Sequence, residues 1–185
     1  GGDALVAGRY LYQMGADVLF YLYSRQRDSQ DPNFARALDL DLPLIYDEDD
    51  PDDVFFEEIL QDVGFIIDGL LGVGLSRPLN DRIRRLLNRV EMGLEGIPSL
   101  PTRSEESTIY DLIPAYQPEQ KANPKKTRAS RPRPNVIAVD CPTGLYCDSG
   151  QLDPDALKAD LTVTFGGPKP GHFLAPGSFA CGEIN

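Results

Sequence analysis

The sequence predicts a three-layer α/β/α fold built on a doubly wound, mostly parallel sheet. Three observations carry this. Short runs of β-branched and aromatic residues alternate with helical patterns. The strand-like runs are apolar at consecutive positions, as strands covered on both faces are. Glycine-rich turns follow several of those runs, at the strand ends where open sheets of this class keep their ligand loops.

Taken in order, Ala4 to Met14 has the apolar period of a helix and stops at Gly15. Val18 to Tyr23 reads as a buried strand, and Leu44-Ile45-Tyr46 as a short one. Asp47-Glu48-Asp49-Asp50 then leads through Pro51, Asp52 and Asp53 to an apolar face of Phe55, Ile59, Leu60 and Val63. Carboxylates in that position meet the positive end of a helix dipole, so a solvated helix start is expected; no EF-hand spacing is present. Phe65-Ile66-Ile67-Asp68 and Val136-Ile137-Ala138-Val139-Asp140 are apolar runs that each end in Asp, and Leu161 to Phe165 is a further strand. Between them Asn80–Val90 is an amphipathic helix, with Ile83, Leu86, Leu87 and Val90 on one face.

Composition narrows the function. The 185 residues carry 29 Asp+Glu against 18 Lys+Arg, a net charge of −11 that disfavours binding to a nucleic-acid backbone. An apolar fraction of 41% suits one core, and the length suits one domain. No apolar run approaches the roughly 18–20 residues that cross a bilayer, so no membrane span is expected. Cys141, Cys147 and Cys181 are too few for a disulfide framework, which favours a reducing compartment and hence the cytoplasm. Residues 93–134 differ from the rest: they hold 7 of the 16 prolines and are net +2, leaving −13 elsewhere. That stretch reads as a disordered insertion, with docking through Lys125-Lys126-Thr127-Arg128 or Tyr110–Ile113 as the alternative.

Four loops have chemical content. Gly1-Gly2-Asp3 opens a helix, where backbone N–H groups can approach an anion. Asp68-Gly69-Leu70-Leu71-Gly72-Val73-Gly74-Leu75-Ser76-Arg77-Pro78 joins a strand-end Asp to a Gly-x-Gly turn, a hydroxyl and an Arg, groups suited to a phosphate. The same loop is also readable as a plain glycine turn closed by proline. Asp140-Cys141-Pro142-Thr143-Gly144 places a second carboxylate at a strand end, able to bond a ligand hydroxyl or move a proton. Gly166-Gly167-Pro168-Lys169-Pro170-Gly171-His172 follows the last strand; Lys169 could neutralise ligand phosphates, and the lone His172 reads as a structural hydrogen-bonder. Nothing in the sequence pairs Cys141 with His172, and no zinc spacing includes the cysteines.

Together and in this order the loops resemble the YjeF N-terminal family, the NAD(P)H-hydrate epimerases. Gly1-Gly2-Asp3-Ala4 is similar to the second part of that family's Asn-Asn-Gly-Gly-Asp-Gly loop, with Ala4 in place of the last Gly. Asp68–Pro78 is similar to its Asp-Ala-Leu-Phe-Gly-Thr-Gly-Leu-Ser-Arg-Pro loop, Asp140–Gly144 to its Asp-Ile-Pro-Ser-Gly loop, and Ala159–Phe165 to its Ala-Asp-x-Thr-Val-Thr-Phe segment. The resemblance implies a Rossmann-like fold whose first strand and asparagines precede residue 1. Residues 1–185 alone are therefore expected to fold poorly or bind weakly.

The resemblance further implies an isomerase that interconverts the R and S forms of NADHX and NADPHX. Gly1, Gly2 and Asp3 would line the ligand site, and Gly72, Val73, Gly74, Leu75, Ser76, Arg77 and Pro78 would wrap the phosphates. Asp140 would contact substrate and act as the acid/base carboxylate. Asp68 and Thr143, oxygen donors suited to a hard cation, would ligate a potassium ion. The Gly-Pro-Lys-Pro-Gly-His segment looks most like two-domain bacterial members, in which an ADP-dependent dehydratase follows. A homodimer is among the assemblies the family allows. The competing reading is a non-catalytic binding or dimerising scaffold of the same fold, as in a decapping-enhancer protein. Retention of Asp68, Asp140 and the Gly-x-Gly-x-Ser-Arg loop favours the enzyme, whereas a dehydrogenase is disfavoured by the lack of a strand–GxGxxG–helix unit.

Overall fold

A computed structural model describes residues 2–27, 30–95 and 133–185. The chain divides into two compact units, residues 2–62 and residues 63–95 with 133–185.

In the first unit, α1 (Gly2–Gln13) ends as expected before Gly15, whose φ of +93° is a left-handed conformation open to glycine. β1 (Phe20–Leu22) is shorter than the apolar run that encodes it. The sequence reading overlooked α2 (Pro32–Leu38). Its start signal was nonetheless there: the Asp31 side chain accepts from the Asn33 N–H at 2.8 Å, and proline occupies the first turn. β2 (Leu44–Tyr46) pairs parallel with β1, Phe20 opposite Leu44 and Leu22 opposite Tyr46.

Alternation along the two strands produces the layers. Leu22 and Tyr46 face Leu5 of α1 and Phe34 and Ala37 of α2. Their neighbours Tyr21 and Ile45 face the other way, against Phe55 and Ile59 of α3 (Val54–Asp62). The acidic approach to α3 is only partly solvated, which corrects the sequence reading. Asp47–Asp49 forms a short 3₁₀ turn, and Asp50 then turns inward to 2% exposure. Its Oδ1 accepts from the Phe55 N–H at 3.1 Å, and its Oδ2 from the Phe56 N–H at 2.9 Å and the Tyr21 hydroxyl at 3.3 Å. Orphan amides at a helix start need acceptors when the helix is packed down, and one aspartate supplies them here.

The second unit holds β3 (Phe65–Asp68), α4 (Asp81–Leu94), β4 (Asn135–Val139), β5 (Leu161–Val163) and β6 (Glu183–Ile184). The strands lie in that order and all are parallel, with Asp68 opposite Ala138, Val139 opposite Val163 and Thr162 opposite Ile184. Phe65, expected to be buried with its run, is 63% exposed, because β3 lies at an edge of this sheet. Asn80 caps α4 by accepting from the Ile83 N–H at 2.9 Å, and Ile83, Leu86, Leu87 and Val90 are buried as their spacing requires. The helix runs to Leu94, slightly into the stretch read as an insertion; residues 96–132 of that stretch lie outside the described residues.

The architecture is α/β with parallel strands, as expected. The ladder, however, is two parallel sheets, one in each unit, because among the described residues no strand hydrogen-bonds to both β1 and β3. No helix among the described residues is long and apolar enough to cross a membrane.

Candidate functional site

In the second unit β3, β4 and β5 run parallel side by side, so their carboxyl ends share one edge of the sheet. β3 ends on Asp68, and β4 and β5 continue directly into Asp140 and Thr164. The sheet thus gathers loops that are about 70 residues apart in sequence.

Asp68 and Thr143, paired in the sequence reading as cation ligands, are in contact. The Thr143 hydroxyl donates to Asp68 Oδ1 at 2.6 Å, and the Thr143 N–H donates to Oδ2 at 2.7 Å. Thr143 Oγ1 accepts in turn from the Leu71 N–H at 3.2 Å, which ties the start of the glycine loop to the second loop. Asp68 is buried, and burial raises its pKa; the Thr143 hydroxyl and the Thr143 and Leu70 N–H groups oppose that rise. No Lys, Arg or His side chain among the described residues pairs with it. A buried carboxylate beside a hydroxyl oxygen, without a side-chain cation, offers oxygen donors of the kind that suit a hard cation. Among the described residues no group of three His, Cys, Asp or Glu is placed to hold a metal ion.

Asp140 has a left-handed backbone, φ 68°, a conformation that Asp and Asn adopt more readily than other side-chain-bearing residues. The turn swings the carboxylate over the end of β5. Oδ1 accepts from the Thr164 hydroxyl and the Phe165 N–H, each at 3.0 Å, and from the Lys169 ammonium. Oδ2 accepts no hydrogen bond among the described residues. Burial alone would raise the pKa of Asp140. The Lys169, Phe165 and Thr164 hydrogen bonds and the Lys169 charge outweigh it and hold the carboxyl below its ordinary 3.8.

Behind this pair lies His172, 1% exposed. Its Nδ1 accepts from the Lys169 N–H at 3.3 Å, so the neutral ring carries its proton on Nε2, which faces Cys141 Sγ at 3.3 Å; the ring is also hydrogen-bonded by the Asp140 backbone. The structure therefore brings His172 and Cys141 together where the sequence offered no reason to. It also brings the Cys141 and Cys147 sulfurs side by side, a proximity the sequence reading did not foresee; Cys181 is a buried free thiol.

The Gly72–Pro78 loop is open. Gly72, Val73, Gly74, Ser76, Arg77 and Pro78 are exposed and Leu75 is half-buried, and a Cβ added at Gly72 or Gly74 would meet nothing within 4 Å. Its exit is anchored: the Leu79 N–H donates to the buried Asp153 carboxylate at 3.3 Å, and Arg84 bridges Asp153, Asp155 and the Leu79 carbonyl. Gly2 and Asp3 open α1 in the first unit, and Gly1 lies outside the described residues.

The model of the family described as YjeF-related protein N-terminus matches residues 1–104 and 110–171. The chain belongs to the YjeF N-terminal family. A bifunctional NAD(P)H-hydrate repair enzyme Nnr of Thermofilum pendens is 31% identical over 188 residues, covering 100% of this chain and 28% of that protein. An NAD(P)H-hydrate epimerase of Clavibacter sepedonicus is 30% identical over 188 residues, covering 100% of this chain and 65% of that protein. The chain thus spans under two thirds of each of these relatives. The crystal structure of yeast ynu0, YNL200c, has the same fold at a TM-score of 0.62 and 16% identity, covering 94% of this chain and 56% of that one.

His172 gives this YjeF N-terminal chain a pH-dependent stability. Burial, and then the Lys169 charge, lower its pKa from 6.5. A depressed folded pKa means that the unfolded chain takes up a proton the folded chain refuses. The stabilisation is full above 6.5 and is lost as pH falls from there toward the folded value, at no more than about 1.4 kcal/mol per pH unit. Urea midpoints measured from pH 7.5 to 5 should fall more steeply for the wild type than for His172→Gln. Parallel curves would show that the imidazole stays solvated.

Proposed function

We propose that this chain supplies the epimerase of NAD(P)H-hydrate repair: it equilibrates the R and S forms of NADHX and NADPHX, hydrated at C6 of the nicotinamide ring. The observation that carries the reading is Asp140, clamped at Oδ1 by three donors with Oδ2 left open, on the same sheet edge as the Asp68–Thr143 pair. The names of the relatives agree with it.

Each group then has a task. In the Gly72–Pro78 loop, the N–H groups of Gly72–Arg77 and the Arg77 guanidinium, which forms no ion pair among the described residues, hold the substrate phosphates. Asp140 Oδ2 takes the proton of the C6 hydroxyl as the C6–N1 bond breaks and passes it to N1, leaving an aldehyde at C6; when N1 adds back to the other face of that aldehyde, Oδ2 takes the N1 proton and returns it to the C6 oxygen. Asp68 and Thr143 hold potassium, which when bound supplies a fixed positive charge beside an anionic dinucleotide.

The test uses the full-length protein. Pure R-NADHX and R-NADPHX are supplied, and the appearance of the S epimers is followed by chromatography in potassium and in tetramethylammonium buffers. Equilibration faster than in buffer, and faster with potassium, is expected. If neither substrate relaxes faster than the blank, the epimerase reading fails; if relaxation is equally fast in both salts, only the potassium assignment fails.

A further inference from the structure

The Lys169 ammonium has three N–H donors, and the structure occupies all three. They go to Asp140 Oδ1, to Thr164 Oγ1 at 2.8 Å and to the Phe165 carbonyl at 2.8 Å. Thr164 closes the triangle by donating to the same Asp140 oxygen. Lys169 is held from behind as well. Pro168 and Pro170 fix the backbone on either side of it, and its own N–H is bonded to the buried His172, whose other ring nitrogen faces the Asp140–Cys141 turn. A lysine with all its donors spent, and only 19% of its side chain exposed, has nothing left to offer a phosphate.

We propose that Lys169 is a positioning residue for Asp140: it clamps Oδ1 so that Oδ2 alone is presented to substrate, and it keeps the carboxylate charged. This role replaces the phosphate contact that the sequence suggested. It rests on the epimerase reading of the same site. Among the described residues the charged and titratable groups facing Asp140 are the Lys169 ammonium, on the side chain, and the neutral His172 ring, on the backbone. Removing the ammonium leaves two neutral donors on Oδ1 and frees the carboxylate to rotate.

The experiment compares Lys169→Met and Lys169→Arg with the wild type in the full-length protein. Carbon-13 NMR follows the Asp140 carboxyl through acid titration, a readout that needs no activity. Lys169→Met is expected to raise the Asp140 midpoint by about 1 pH unit or more, and Lys169→Arg to restore most of that shift. In epimerisation assays kcat should fall about 10-fold or more in Lys169→Met, with its acid limb displaced upward, while KM for NADHX stays within about twofold. An unmoved Asp140 midpoint, or a raised KM with kcat intact, would make Lys169 a ligand contact and overturn the proposal. If the wild type does not epimerise at all, the NMR titration still decides the Lys169–Asp140 coupling, and the epimerase reading alone is lost.

Discussion

Asp140→Asn is expected to lower kcat for epimerisation by about 10²–10⁴-fold while the protein folds and binds substrate. Asparagine matches the shape of aspartate, and it is the other side chain that readily accepts the left-handed backbone seen here at φ 68°. Its amide oxygen can take the place of Oδ1 and keep the hydrogen bonds from Thr164, Phe165 and Lys169. The amide NH₂ then stands where Oδ2 was. The variant loses the negative charge and the proton acceptor and little else, so thermal unfolding and KM should change little. A variant that retains more than about a third of wild-type kcat would show that the C6 proton is handled elsewhere.

A large loss of stability is expected in the same loop, at Gly144→Ala. Gly144 has φ +103°, and a Cβ there would lie 2.5 Å from the Ala156 Cβ and 2.9 Å from the Ala156 Cα. The second contact is with backbone, so no side-chain rotation relieves it. Overpacking and a left-handed backbone together should cost about 3 kcal/mol or more, about 6–12 °C in Tm for a domain of this size. Gly72→Ala and Gly74→Ala are the controls, because an added Cβ meets open space at both. Differential scanning calorimetry on the three variants separates the cases. If Gly144→Ala melts within about 2 °C of the wild type, the turn is not packed as described.

The strands were legible where composition alone decides them. Leu44–Tyr46 and Phe65–Asp68 form as read, because β-branched and aromatic runs bounded by polar turns leave few alternatives. α2 was missed because seven residues are too few to display a helical period; Asp31-Pro32, a cap followed by a first-turn proline, was the usable signal. The inward turn of Asp50 was not legible. Six acidic residues lie within seven positions there, and only the packing of α3 against Tyr21 and Ile45 selects the one that caps it.

At the site the same division holds. The contact of Asp68 with Thr143 follows from two strand-end loops brought to one edge by parallel pairing, which motif order already implied. The direction in which Lys169 points was not recoverable from a glycine- and proline-rich loop. It depends on Asp140 and Thr164 meeting at the ends of adjacent strands, 24 residues apart in sequence. The meeting of His172 with Cys141 depends likewise on how the 3₁₀ turn Pro170–His172 seats against the Asp140 loop.

The handedness of Asp140 also shapes which changes natural variation can sample at this position. Only glycine, asparagine and aspartate occupy such a conformation cheaply, and every other side chain adds a folding penalty of about 1 kcal/mol or more to any loss of activity. Of the inexpensive neighbours, glycine removes the side chain and asparagine removes the charge. With Asp140 as the proposed acid/base group, the site therefore has no easy path to a different one at this point. A lineage that drifts away from aspartate here keeps a well-folded domain only by giving up the carboxylate, which is how a fold can pass from enzyme to scaffold in a single step.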